Sequence, residues 1–102
     1  MKDKDYLIKF LLDKTVDLGA RDDCAMDLAD HDTEDVFAAL YKCATDKSEE
    51  EIIQGTCGES LAEIMVRTNI FRKEYSVDLS EYADAEFKTF IKSKKQEWLD
   101  KI

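Results

Sequence analysis

Apolar residues recur along the chain at spacings of three and four rather than two, and short polar turns divide them into amphipathic stretches. In 3–14, Tyr6, Leu7, Phe10 and Leu11 fall on one side at i, i+1, i+4 and i+5, which predicts a first helix. A second is expected over about 16–30, after Thr15 as N-cap, with Leu18, Ala25, Leu28 and Ala29 inward. The stretch Asp30-His31-Asp32-Thr33 ends it and opens a third helix. Glu34 and Asp35 stand in that helix's first turn, where the dipole favours acids, and Val36, Phe37, Leu40, Cys43 and Ala44 form its inner stripe. Ser48 and Glu51 match the capping box S-x-x-E of a fourth helix, which runs to about Arg67 through Ile53, Cys57, Leu61, Ile64 and Met65. Ile70, Phe71, Tyr75, Leu79 and Tyr82 suit a short fifth helix. Asp84 is the expected cap of a sixth over about 85–101, carrying Phe87, Phe90, Ile91, Trp98 and Ile102.

The pattern also repeats. Shifted by 33 positions, Leu7, Lys9, Asp13, Lys14, Cys24, Leu28 and Ala29 fall on Leu40, Lys42, Asp46, Lys47, Cys57, Leu61 and Ala62. Thr15 falls on Ser48, Asp17 on Glu50 and Asp30 on Glu63. Such a period is the mark of a helical array whose units bury their apolar sides against one another. Gly58 aligns with Ala25, and a small residue repeating there predicts a close helix–helix approach. Residues 20–64 resemble HEAT-like repeats of the short kind also found in bilin-lyase proteins. The matching features are Arg21 and Cys24-Ala25 leading to Leu28-Ala29, an acidic turn, a Leu-bearing helix, then Cys57-Gly58, Leu61-Ala62 and Ile64. The resemblance implies an all-α fold: a short HEAT-like array of about six helices in three antiparallel pairs (about 3–30, 33–67 and 70–101) within one domain, 1–102.

Composition agrees with a folded helical domain. The 102 residues include no proline and three glycines, and 44% hydrophobic content is too high for disorder. Cys24, Cys43 and Cys57 are odd in number, without a CxxC, each among Ala, Leu or Met. They read as packed, reduced thiols of a cytoplasmic protein. No two of them share a ligand spacing with His31, so neither a metal nor a cofactor is expected. The N-terminal stretch is broken by Lys9 and bounded by acids, unlike a signal h-region, and no apolar run reaches the ~20 residues of a membrane span.

Charge narrows the function. The net −9 is gathered in the middle: residues 17–63 carry fourteen acids against Arg21, Lys42 and Lys47. That surface repels nucleic acid and membranes and attracts basic proteins. No nucleophile or Gly-rich loop accompanies His31. Asp30, Asp32 and Thr33 echo a calcium loop but lack its Gly and distal Glu, so the chain reads as not an enzyme. At 100° per residue, Asp23, Asp27 and Asp30 form one strip with Met26 beside it, and Glu59 and Glu63 take the corresponding face of the fourth helix. With Asp32 these are the candidate partner-binding residues. Lys88, Lys92 and Lys95 form a basic strip at the end.

In size and charge the chain is similar to the acidic immunity proteins of bacterial toxin systems, including those of contact-dependent growth inhibition. That likeness implies a monomer that binds and inhibits a basic, nuclease-type toxin domain. The alternative is a HEAT-like adaptor, or an accessory subunit of a larger complex or cofactor-attachment enzyme.

Overall fold

The computed structural model describes residues 3–102. Its α-helices are α1 (Lys4–Leu12), α2 (Leu18–Asp27), α3 (Glu34–Ala44), α4 (Glu51–Thr68) and α5 (Glu81–Lys94). Short 3-10 turns lie at Leu28–Asp30, Lys73–Tyr75 and Gln96–Lys101. The fold is all-α, the class that the spacing of apolar residues predicts. α4 is its centre, packed against α2, α3 and α5, while α1 lies on α2 and α3. Ile53, Cys57, Leu61, Ile64 and Met65 of α4 are buried, and so are its small residues Gly55, Gly58 and Ala62. A helix buried on most of its circumference has little polar face to show. Leu7, Leu11, Leu28, Leu40, Phe87 and Ile91 complete the core around it.

The turns before α2 and α4 are built alike. Asp13 Oδ1 accepts hydrogen bonds from the Thr15 N–H (2.9 Å) and hydroxyl (2.6 Å). Asp46 Oδ1 accepts the same two from Ser48, also at 2.9 and 2.6 Å. The Val16 N–H then donates to the Asp13 carbonyl, and the Glu49 N–H to the Asp46 carbonyl, each at 3.1 Å. Both expected caps are thereby corrected. The Thr15 and Ser48 hydroxyls are taken up by the preceding aspartate, as in Asx turns, and the N-cap positions pass to Asp17 and Glu50. Asp17 accepts from the Ala20 N–H at 3.2 Å, whereas Glu50 makes no side-chain cap bond and the Ser48–Glu51 box does not form. The Ser48 hydroxyl and N–H, and then Lys14, hold the Asp46 carboxyl down at about 2.

Arg21 and Glu49 meet inside this frame. The two guanidinium Nη atoms hold both Glu49 oxygens, at 2.9 and 2.6 Å, and Nε donates to the Leu11 carbonyl at 2.9 Å. Each side chain is only 3% exposed. The pair joins the end of α1 and the body of α2 to the start of α4.

The last third departs from the expected pattern. Residues 70–80 do not form a fifth α-helix, so no pair of helices spans 70–101. α4 ends in a Schellman-type turn: Asn69 takes the left-handed conformation (φ 59°), its N–H donates to Val66, and the Ile70 N–H donates to Met65, both at 3.1 Å. Asp78 is left-handed too (φ 60°), which a helix cannot accommodate. Side chains fasten this loop to α3 instead. The Tyr75 ring stacks on Phe37 (5.0 Å, 11°), and Tyr41 meets Tyr75 edge-on and donates its hydroxyl to the Val77 carbonyl at 2.9 Å. Arg72 lies over Phe37 and Tyr75, at 4.7 and 5.1 Å, and pairs with Glu34.

Ser80, not Asp84, caps α5, accepting from the Ala83 N–H at 3.2 Å. α5 stops at Lys95, and Gln96–Lys101 is a 3-10 turn where helix was expected. Replacing Tyr75 with Leu keeps the loop's apolar bulk but removes the stack, the Arg72 platform and the hydroxyl bond to Glu34. The expected cost is about 1–2 kcal/mol by urea denaturation, with faster proteolysis confined to 70–80. Unchanged stability and cleavage would show that the ladder does not hold the loop.

Candidate functional site

The site grows from the two glycines of α4. A Cβ at Gly58 would lie 2.3 Å from the Ala83 carbonyl oxygen, so only glycine lets α5 cross there. One turn earlier, a Cβ at Gly55 would stand 3.4 Å from Glu86 Cγ. Beside this crossing a groove of about 440 Å³ opens between α4 and α5. The buried Gly55 and half-buried Thr56 lie deepest in its lining, with Ile52, Tyr82 and Ala85 exposed beside them and Glu51, Glu59 and Glu86 as its acidic members. Ile52 is 54% exposed and Tyr82 42%, large apolar surfaces left open beside carboxylates. Glu51 beside the Tyr82 hydroxyl raises the phenol's pKa, and both residues also line a more polar hollow over Gln54, Leu79 and Ser80.

Some carboxylates elsewhere in the protein are matched within the chain. Lys14 pairs with Asp46 at 3.0 Å, Lys88 with Asp84 at 2.9 Å, Lys4 with Asp35, and Arg72 with Glu34 and Glu74. Glu59, Glu63 and Glu86 form no ion pair with any described residue. Desolvation raises the Glu59 carboxyl, and the charges of Glu86, Glu63 and Asp22 push it further the same way. Asp22 Oδ1 is itself buried without a hydrogen-bond partner. Four carboxylates, Glu59, Glu63, Glu86 and Asp22, gather at this corner of the protein.

The structure divides the residues marked out in the sequence. Glu59 is on the groove rim, and Glu63 follows it one turn along α4, half-buried. Asp23 is exposed, Met26 is 47% exposed, and Asp27 is half-buried, opposite the buried Cys24, Ala25 and Leu28 as the periodicity predicts. None of these three lines the groove. Asp30 sits in the 3-10 turn after α2, and Asp32 lies beside Phe37, Ile70 and Arg72. Ser60, aligned between Glu59 and Glu63, is buried and donates to the Ala25 carbonyl at 2.8 Å, joining α4 to α2. In the basic strip, Lys88 is engaged by Asp84 and Lys95 lies over Trp98 at 5.4 Å.

Sequence reasoning missed Asp22, Ile52, Tyr82 and Glu86. The repeat held a signal for part of this, since Asp22 aligns with Gly55 of the groove lining.

All three cysteines are free and buried. The Cys43 and Cys57 thiols hydrogen-bond to each other, which lowers the pKa of Cys43 and, with burial, raises that of Cys57. Among the described residues, no group of three or more His, Cys, Asp or Glu is arranged to hold a metal ion. No helix there is long and apolar enough to cross a membrane. Comparison of the chain with protein-family models, curated proteins and solved structures finds no match. The fold and site therefore define a class only: a small acidic all-helical scaffold with an open, acid-rimmed groove.

Proposed function

We propose that this chain is a protein-binding module of the immunity type, which captures a basic, nucleic-acid-cleaving toxin domain inside the producing cell and blocks it. One observation carries the reading. Glu59, Glu63 and Glu86 form no ion pair among the described residues, and Glu86, Glu63 and Asp22 act together on the Glu59 carboxyl beside the α4–α5 groove. Unpaired acids beside exposed Ile52 and Tyr82 offer a partner apolar contact and charge together. Against a nuclease, such carboxylates occupy the place of phosphates, and their field speeds encounter with a basic cleft.

The test is a binding and protection assay with a toxin domain encoded beside this gene. Glu59→Lys and Glu86→Lys are expected to abolish protection. Truncating an acid that is buried against a partner Arg or Lys costs about 2–5 kcal/mol, far more than a rim charge. Asp27→Lys and Glu63→Lys should slow association, and Lys92→Glu should leave binding near wild type. Raising salt should reduce the association rate, because exposed charges more than about 10 Å apart become screened at 0.1 M. If all four acid reversals still bind and protect at the wild-type level, the acidic corner is a solvated face and the reading fails.

A further inference from the structure

We propose that the α4–α5 groove is a receptacle for one arginine side chain of the partner, with its stem against Ile52 and Ala85, its plane on Tyr82 and its guanidinium between Glu59 and Glu86. The proposal rests on the reading that the partner is basic, and it names the group that enters.

The shape of the groove sets the size of the occupant. At about 440 Å³ it lies in the lower part of the range for ligand pockets, about 300–1,000 Å³. That suits a long side chain better than a large cofactor. Its lining then selects the chemistry. Between the acids the lining, Gly55, Thr56, Ile52 and Ala85, offers no charge, which suits an aliphatic stem. Two carboxylates, from different helices, face a common space and have no cation of their own. A lysine ammonium is a compact and strongly hydrated point charge. A guanidinium is planar, sheds water more readily, and presents several N–H donors in a fixed fork that can address both acids at once. Tyr82, 42% exposed at the side of the groove, provides a face for the same plane to stack on. A cation between Glu59 and Glu86 also relieves the repulsion between them, so the site is better satisfied filled than open.

The experiment needs no identified partner. The full chain, labelled with ¹⁵N, is titrated with three blocked pentapeptides of sequence Gly-Ala-X-Ala-Gly in which X is Arg, Lys or citrulline, the neutral isostere of arginine. The Arg peptide is expected to saturate in the millimolar range and to shift the amides of Gly55, Thr56, Tyr82 and Ala85. Lys should bind several-fold more weakly, and citrulline about tenfold or more. The Glu59→Gln/Glu86→Gln double variant should lose saturable binding, while Asp23→Asn/Asp30→Asn should stay within about twofold of wild type. Citrulline binding as well as arginine, or shifts that gather on Asp23–Asp30 instead of the groove, overturns the proposal. The two readings fail separately. Toxin binding that is lost in Glu59→Lys, with no peptide in the groove, removes the arginine and keeps the inhibitor. Peptide in the groove without any toxin binding removes the inhibitor and keeps the arginine site.

Discussion

Arg21→Met and Glu49→Gln are each expected to destabilise the protein by about 3–5 kcal/mol, a large share of what a domain of this size has. Each leaves one charge buried without its counter-charge, at a place where both side chains are 3% exposed. Arg21→Met also strips the Leu11 carbonyl of its Nε donor and loosens the end of α1. The double replacement Arg21→Met/Glu49→Leu should cost much less than the two singles together, since an apolar pair of similar volume no longer carries the desolvation of two ions.

The pH dependence has a definite sign. The Arg21 guanidinium depresses the Glu49 carboxyl, and the Glu50 N–H adds to this against the opposing effect of burial. A carboxyl whose folded value lies below its unfolded one, about 4.3, contributes fully above that pH. The contribution is lost as pH falls through the folded value. Asp35, held at about 2 by Lys4 and Thr33, and Asp46, also at about 2, lose theirs in the same acid range. The comparison that isolates Glu49 is therefore the difference between wild type and Glu49→Gln, measured by urea unfolding from pH 7 to pH 2. That gap should narrow as the solution is acidified. A gap that is constant with pH, or single variants each costing under about 1 kcal/mol, would show that the pair is not ionised and buried as described.

Nothing local in the sequence marks Arg21 and Glu49 as partners. They stand 28 residues apart, and each reads as a surface charge until the stacking of α2 on α4 brings them together. What the sequence did carry was periodic. Leu7, Leu28, Leu40, Cys57 and Leu61 are buried as their spacing requires, and Met26 is open as expected. Caps were harder to place, and for a physical reason that the repeat states twice. Thr15 and Ser48 look like N-caps because a hydroxyl can accept a helix N–H, but in each turn the aspartate two residues earlier is the stronger local acceptor. The fifth helix misled for another reason. Ile70, Phe71, Tyr75 and Leu79 have helical spacing, yet two left-handed residues and contacts to Phe37 and Tyr41 of α3 settle that stretch.

For the site, charge pattern alone could place Glu59 and Glu63 on one face. The groove itself depends on where α5 crosses α4, and no spacing within either helix encodes that. Asp23, Asp27 and Asp30 looked equivalent to Glu59 by helical angle. They differ from it because the α2 strip has no second helix closing over it to make a floor.

Gly58→Ala should destabilise by about 2–3 kcal/mol even though alanine is the better helix former by about 1 kcal/mol. The added Cβ would fall 2.3 Å from the Ala83 carbonyl oxygen and 2.7 Å from its Cα, and both are backbone atoms. No rotamer change can clear them, so α5 has to move as a body. Ala83→Gly cannot rescue the variant either, because the atoms that are struck remain. Gly55→Ala is the control with the opposite expectation. Its Cβ meets Glu86 Cγ at 3.4 Å, on a flexible side chain, and the Tyr82 carbonyl oxygen at 3.9 Å, both ordinary contacts, so the helix-propensity gain should leave stability unchanged or raised by up to about 1 kcal/mol. Function should separate the two in reverse. The Gly55 methyl projects into the groove floor and should weaken arginine-peptide binding in a protein as stable as wild type. Thermal melts with the peptide titration read both effects together. A Gly58→Ala protein that melts at or above wild type would mean that α5 does not cross α4 at this point, and the groove built on that crossing would go with it.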